Sequence, residues 1–147
     1  MNTNDSLKAS GSLRVVVTGS DGKVKEEHDF KNLVVTVGKN FVASRIVGVA
    51  ANVMSHMAVG SGTTAAAIGD TTLGSELGRV ALATSTATTN VVTYTATFSA
   101  GTGTGAVTEA GIFNAASAGT MLCRTVFSVV NKGVDDALSI TWTITIS

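Results

Sequence analysis

Few residues in this 147-residue chain have the type and spacing to do chemistry. Gly101-Thr102-Gly103-Thr104-Gly105-Ala106 matches the G-x-G-x-x-A fingerprint of dinucleotide sites. That fingerprint works only where a helix follows, because the helix N-terminus holds the pyrophosphate. Here Val107 to Phe113 follows and reads as a strand, so the glycines predict a hairpin loop. Gly60-Ser61-Gly62-Thr63-Thr64 lacks the lysine of a phosphate loop. His28 and His56 are the only histidines; they fall on different elements with no cysteine nearby, too few ligands for a tetrahedral zinc site. Asp135-Asp136, after Gly133, reads as a solvated turn; a calcium ion there would have to draw most of its oxygen ligands from elsewhere. Serine and threonine are abundant, but no Ser-His-Asp pattern stands apart from strand composition.

Four charges invite closer reading: Glu76, Arg79, Glu109 and Arg124. Glu109 lies inside a strand of apolar neighbours, and Arg124 lies in the strand that pairs with it most naturally. A carboxylate in that setting needs a cation, because an unpaired buried charge is expensive. The expectation is a buried or interfacial ion pair between Glu109 and either Arg124 or Arg79, fixing strand register or an interface. A catalytic role would require a cleft and a second acid. No catalytic, cofactor-binding or metal-binding residue is assigned, and the chain is not read as an enzyme.

The elements that position these charges are strands. Leu138-Ser139-Ile140-Thr141-Trp142-Thr143-Ile144-Thr145-Ile146 alternates large apolar and small polar residues without error. A period of two places all the large side chains on one face, the pattern of a half-buried antiparallel sheet. Asn90 to Ser99 alternates likewise, with Val92, Tyr94, Ala96 and Phe98 opposite threonines. Further strands are expected at Ser12–Thr18, Lys23–Phe30, Met54–Val59, Arg79–Ala83, Val107–Phe113 and Thr120–Val130, with Asn32–Val35 as a short addition. Gly19-Ser20-Asp21-Gly22 predicts a hairpin turn, since Asp-Gly accepts positive φ cheaply, with Val24 and Phe30 facing inward beyond it. Val37, Phe41, Val42 and Ile46 carry helical spacing over Thr36 to Val47, with Thr36 as N-cap and Gly48 as stop. Gly60 to Leu77 shows no β alternation, and Asp70-Thr71-Thr72-Leu73 has the start of one helical turn. Eight or nine strands with short polar turns predict an all-β fold with one short helix, an antiparallel β-sandwich of jelly-roll type over residues 12–147. Trp142, Phe98, Phe113 and Phe127 are the expected large core residues. Residues 1–11 are polar and aperiodic and read as a flexible arm, one that matters for docking and not for folding.

Composition bounds the rest. Apolar residues make up 44% and charged residues only 14%, against the usual level of about 25%. Ten basic and ten acidic residues cancel, leaving no electrostatic footprint for nucleic acid. No apolar run approaches the roughly 20 residues of a membrane span, and Met1 to Ser6 lacks the basic and apolar regions of a signal peptide. Neither nucleic acid nor membrane is therefore expected as a partner. Near-zero charge removes the self-repulsion that keeps a free monomer soluble, which favours a protein that lives in an assembly. Cys123 is the only cysteine, so no intrachain disulfide forms; a buried thiol made in a reducing cytosol is expected.

Several ordered segments resemble a family of small virion proteins of tailed bacteriophages. They are Asn32-Leu33-Val34-Val35-Thr36-Val37-Gly38, Met57-Ala58-Val59-Gly60-Ser61-Gly62-Thr63-Thr64, Asp70-Thr71-Thr72-Leu73-Gly74-Ser75-Glu76-Leu77-Gly78-Arg79 and Glu109-Ala110-Gly111-Ile112-Phe113-Asn114. The resemblance spans about residues 12–146 and includes capsid cement (decoration) proteins and tail-appendage modules. It implies a jelly-roll-like cement protein on the outer surface of an icosahedral head, made in the host cytoplasm. Its partners would be the major capsid protein and itself, as a homodimer or homotrimer. It would clamp neighbouring capsid subunits, and it brings no catalytic residues or cofactor. The alternative is a tail-fibre or baseplate appendage with a receptor- or carbohydrate-binding β-sandwich. Exposed aromatics and clustered acids would mark a sugar site, whereas the one Trp and one Tyr here alternate as core residues.

Overall fold

The computed structural model describes residues 6–147. Nine strands and one helix follow in the order β1 (Ala9–Thr18), β2 (Val24–Val34), α1 (Thr36–Ile46), β3 (His56–Gly60), β4 (Glu76–Ala81), β5 (Thr84–Thr88), β6 (Val91–Phe98), β7 (Gly105–Phe113), β8 (Met121–Lys132) and β9 (Ala137–Ile146). The fold is all-β. The strands form one antiparallel sheet in the order β4-β3-β7-β8-β2-β1-β9-β6-β5, not the two separate sheets expected of a jelly roll.

Two bends curl that sheet over on itself. β2 pairs with β1 from Val24 to Asn32, and then with β8 through Leu33↔Arg124 and Val34↔Cys123. At the other limit, β4 and β5 are the two edge strands, yet only Leu82 and Ala83 separate them in the chain. The Leu82 amide donates to Ser55 just before β3, and the Ala83 amide donates to Thr95 of β6. The chain thus crosses between the two halves of the sheet within two residues, and one buried cluster is filled from both.

Alternation translates directly into packing on β1, β9 and β6. Their registers align Leu13, Trp142 and Tyr94 in one row, Val15, Ile140 and Ala96 in the next, and Val17, Leu138 and Phe98 in a third. All nine are buried. The expected core aromatics Trp142, Phe98, Phe113 and Phe127 are buried too, and Phe127 stacks on Phe30 at 4.4 Å between ring centroids.

On β7 alternation fails: Val107 to Phe113 is buried without a break. The reason is a second layer. Residues 61–75 fold back across the outer face of β3, β7 and β8, so both faces of that half are covered. Val35, Ala58, Leu73, Phe113 and Met121 form a separate buried cluster there. Asp70 to Leu73 is bend and irregular chain, without the helical turn anticipated.

Other expectations move by a few residues. β1 begins at Ala9, where Ala9, Ser10 and Gly11 pair with Ile146, Thr145 and Ile144, so residues 9–11 belong to the sheet and not to an arm. The amide of Lys8 already donates to Ser147 O at 2.6 Å. Residues 1–5 of the expected arm lie outside the described residues. Val24 faces solvent at 58% exposure, because the register shift between Val17 and Thr18 breaks the alternation beside the turn. The turn itself is tied by Gly22 N to Gly19 O at 2.9 Å and by Asp21 Oδ1, which accepts from the Lys23 amide at 3.0 Å. β5, an all-exposed Thr-Ser-Thr-Ala-Thr edge, carries no alternation by which to find it.

The helix is held by a close approach. Val35, not Thr36, is its N-cap, with no side-chain cap; the Thr36 amide instead donates to Ile68 O at 2.8 Å. Gly38 faces β8 so closely that a Cβ there would lie 2.1 Å from Leu122 O. Since that obstacle is backbone, Gly38→Ala is expected to lift α1 off the sheet and lower stability by about 1–3 kcal/mol. Urea titration checks this; an unchanged midpoint would show that the helix accommodates the methyl group.

Candidate functional site: a carboxylate latch beneath the glycine loop

Glu109 stands on the outer face of β7, level with Gly60 of β3. One step along, a row of Arg79, Ala58, Gly111 and Arg124 crosses four strands. Arg124 is therefore the diagonal neighbour of Glu109 on the adjacent strand. Arg79 lies two strands away, roughly 10 Å at ordinary strand spacing. Topology alone selects Arg124 as the partner.

The geometry is that of a forked pair. Arg124 Nε and Nη2 donate to Glu109 Oε2 at 3.0 and 2.8 Å. The Gly74 amide donates to the same oxygen at 2.9 Å. Oε1 accepts from the amides of Gly62 at 2.8 Å and Ser75 at 2.7 Å. Five donors thus converge on a carboxylate that offers about four lone-pair sites. Arg124 spends its remaining reach on the same loop, with Nη1 on Asp70 Oδ2 at 2.7 Å and Nη2 on Thr64 O at 3.1 Å. Asp70 also accepts from the Ala67 amide at 2.9 Å, and Thr108 Oγ1 donates to Gly62 O at 2.8 Å. The side chains of Glu109 and Arg124 are 0% and 3% exposed.

Glycine is what lets the loop come this close. A Cβ on Gly62 would sit 2.5 Å from Glu109 Oε1, and one on Gly60 would meet both that oxygen and Ser75 O. Within Gly60-Ser61-Gly62 only the Gly62 amide donates to an anion, and that anion is the protein's own carboxylate, while the Ser61 amide donates to Ser75 O.

The electrostatics follow from these contacts. Burial pushes the Glu109 carboxyl up, but the amides of Gly74 and Ser75, the Arg124 guanidinium and the Gly62 amide outweigh it and hold the group below its ordinary value of 4.5. Asp70 is likewise lowered: the Ala67 amide and Arg124 together exceed the opposing effect of burial. Arg124 is raised, burial being outweighed by Glu109 and Asp70. Enclosed, hydrogen-bonded through both oxygens and lowered below its ordinary value, the Glu109 carboxylate is ionised at neutral pH. The arrangement fastens residues 61–75 to the sheet.

Arg79 serves a second fastening. A register shift between Val59 and Gly60 brings Glu76 onto the face of Arg79. Arg79 Nη2 meets Glu76 Oε1 at 2.7 Å, while Nη1 donates to Ala115 O at 3.0 Å and Ala118 O at 2.9 Å. Its guanidinium lies 3.8 Å from the centroid of the Phe113 ring. Arg79 holds the β7–β8 turn rather than Glu109.

Two buried charges escaped the sequence reading. Asp136 is not solvated: at 5% exposure it accepts from the Gly133 amide at 2.8 Å and pairs with Lys25 at 3.1 Å. Lys132, at 2% exposure, donates from Nζ to Ser99 O at 3.0 Å, and burial lowers its pKa despite the nearby Asp136. The oddly placed lysine at the end of an apolar strand was the available signal for both.

The remaining candidates separate. Gly101 and Gly103 take positive φ in the β6–β7 loop, as does Gly105 at the first position of β7, so a strand and not a helix follows the glycines. His28 Nε2 lies 3.3 Å from Glu26, and His56 Nδ1 lies 2.8 Å from Ser55 Oγ, on separate strands. Among the described residues no group of three or more His, Cys, Asp or Glu is placed to hold a metal. Cys123 is fully buried, and burial pushes its thiol well up. It should resist a thiol reagent in the folded protein and react only as the protein unfolds globally. Labelling at native-state rates that exceed unfolding would contradict that burial. No protein-family model, curated protein or solved structure matches this chain.

Proposed function

We propose that this chain is a structural virion protein of a tailed phage, a capsid cement protein that clamps neighbouring major capsid subunits from the outer surface of the head. One observation supports this reading above others. Three of the four segments that carry the family resemblance, residues 57–64, 70–79 and 109–114, supply the latch and the second fastening at Arg79. Gly62, Gly74 and Ser75 all donate to Glu109, and Arg79 lies over Phe113. The shared motif is thus spent on fastening a loop and stiffening a sheet, with no reactive group left over. A rigid β body with a tethered loop suits a protein whose task is mechanical. On this reading the chain is not an enzyme, takes no cofactor, and acts as a homodimer or homotrimer on the shell.

Copy number in purified particles tests the proposal. Hundreds of copies per virion on a stained gel are expected for a head protein. A few to a few dozen would move the chain to the tail, where the alternative of a fibre or baseplate appendage applies. Absence from the particle would end both. In a low-resolution particle reconstruction, isolated copies touching no sister subunit would end the homo-oligomer part.

A further inference from the structure

A groove of about 410 Å³ runs between α1, the start of β1 and the end of β9. Its walls include Leu7, Val34, Val42, Ile46 and Ile146, and Lys8 and Lys39 also line it. Leu7 and Ile46, which line the groove, are 71% and 76% exposed, and Val47 and Val49, which follow α1 in the chain, are 79% and 50% exposed. Half of α1 explains this. Its first turns are clamped to β8 at Gly38, whereas Ala43, Arg45 and Ile46 stand clear. Exposed apolar side chains are ordinary when scattered, but gathered beside a groove they mark an interaction surface.

Charge decides what the groove can accept. Its lining contains two lysines and no carboxylate side chain. Lys8 and Lys39 make no salt bridge among the described residues, where every acid except Asp21, Asp135 and Glu26, which meets only His28, is paired with a lysine or arginine. Asp21 and Asp135 lie beyond the far end of β1, in the β1–β2 and β8–β9 turns, and Glu26 stands opposite Val17 near that same end. Pairing two copies about a two-fold axis through the groove would bring lysines against lysines, a like-charge contact. A partner that fits supplies apolar side chains for the walls and carboxylates for the rim.

We infer that this groove docks an apolar, acid-bearing peptide segment of another protein, its carboxylates meeting Lys8 and Lys39. The inference does not depend on the virion reading. A random dodecapeptide library panned on the intact protein tests it, with depletion on the Lys8→Glu/Lys39→Glu variant. Both lysines are exposed, so the variant should melt like the parent. Enriched peptides should combine apolar residues with Asp or Glu and weaken with salt. They should bind at least about tenfold less well to the double variant and to Ile46→Asp, whose side chain is also exposed. No enrichment, enrichment of acid-free peptides, or binding indifferent to these substitutions would overturn the proposal. So would sedimentation showing a dimer that Ile46→Asp dissociates, since a second copy would then be the occupant.

Discussion

Arg124→Met is expected to destabilise the protein by about 3–5 kcal/mol, the usual result of leaving one partner of a buried pair without the other. Methionine keeps much of the length of the side chain and removes the guanidinium. Glu109 would then stay buried with three amides and no cation, and Asp70 and Thr64 would lose their tie to the sheet. Glu109→Gln should be nearly as costly. Donors converge on both oxygens, so whichever way the amide turns, its NH2 faces an N–H. The double variant should cost less than the two single losses added together, because the pair is removed only once. Urea titration at pH 7 reads all three. A loss below about 1 kcal/mol for Arg124→Met would mean that the latch contributes little to stability. Amide exchange at Gly62, Gly74 and Ser75 gives a separate readout, since a released loop exchanges without global unfolding.

Three ion-paired carboxyls, Glu109 among them, set an acid limit. Glu109, Asp70 and Asp136 all have pKa values lowered in the folded protein. A lowered carboxyl contributes stability that is complete above its unfolded value and is lost as pH falls through the folded one. The ordinary values are 4.5 for Glu109 and 3.8 for the two aspartates. Melting temperature should therefore hold from neutrality down to about pH 4.5 and fall below it. In Glu109→Gln the fall should be shallower. An equal fall in parent and variant would assign the acid sensitivity to other groups.

The contrast between the two halves of the sheet shows what was legible in the sequence. β9 and β6 were read to within a residue or two, because each has one dry face and one wet face and the period of two survives. β7 and β8 were recognised as strands from their apolar runs, yet what covers their outer face was not legible. The donors to Glu109 are backbone amides of Gly62, Gly74 and Ser75, and an amide leaves no mark in a side-chain pattern. Glu109 and Arg124 could be paired because a charge inside an apolar strand demands a partner. Arg79 remained an alternative because the choice depends on β3 lying between β4 and β7, a fact of strand order. Asp136 and Lys132 were missed for a related reason. Both stand where a strand meets a turn, and only the fold determines whether such a position is covered.

Trp142→Ala should cost about 3–5 kcal/mol. Trp142 sits in the middle of β9, between Leu13 and Tyr94 in register, with 0% exposure. Its row belongs to the three strands that are buried from one side only, so the surrounding β1 and β6 cannot close over the space without breaking their own pairing. One feature pulls the cost toward the lower end. The indole Nε1–H is buried with no acceptor among the described residues, a burden of about 1–3 kcal/mol that the substitution removes. Trp142→Phe separates the two effects. It keeps an aromatic ring in the row and discards the unsatisfied N–H, so its net loss should be well under that of Trp142→Ala, at about 1 kcal/mol or less. Denaturant midpoints of the two variants at equal m-value make the comparison. If phenylalanine costs as much as alanine, the indole N–H has a partner in solution and the core around Trp142 is wetter than its packing indicates.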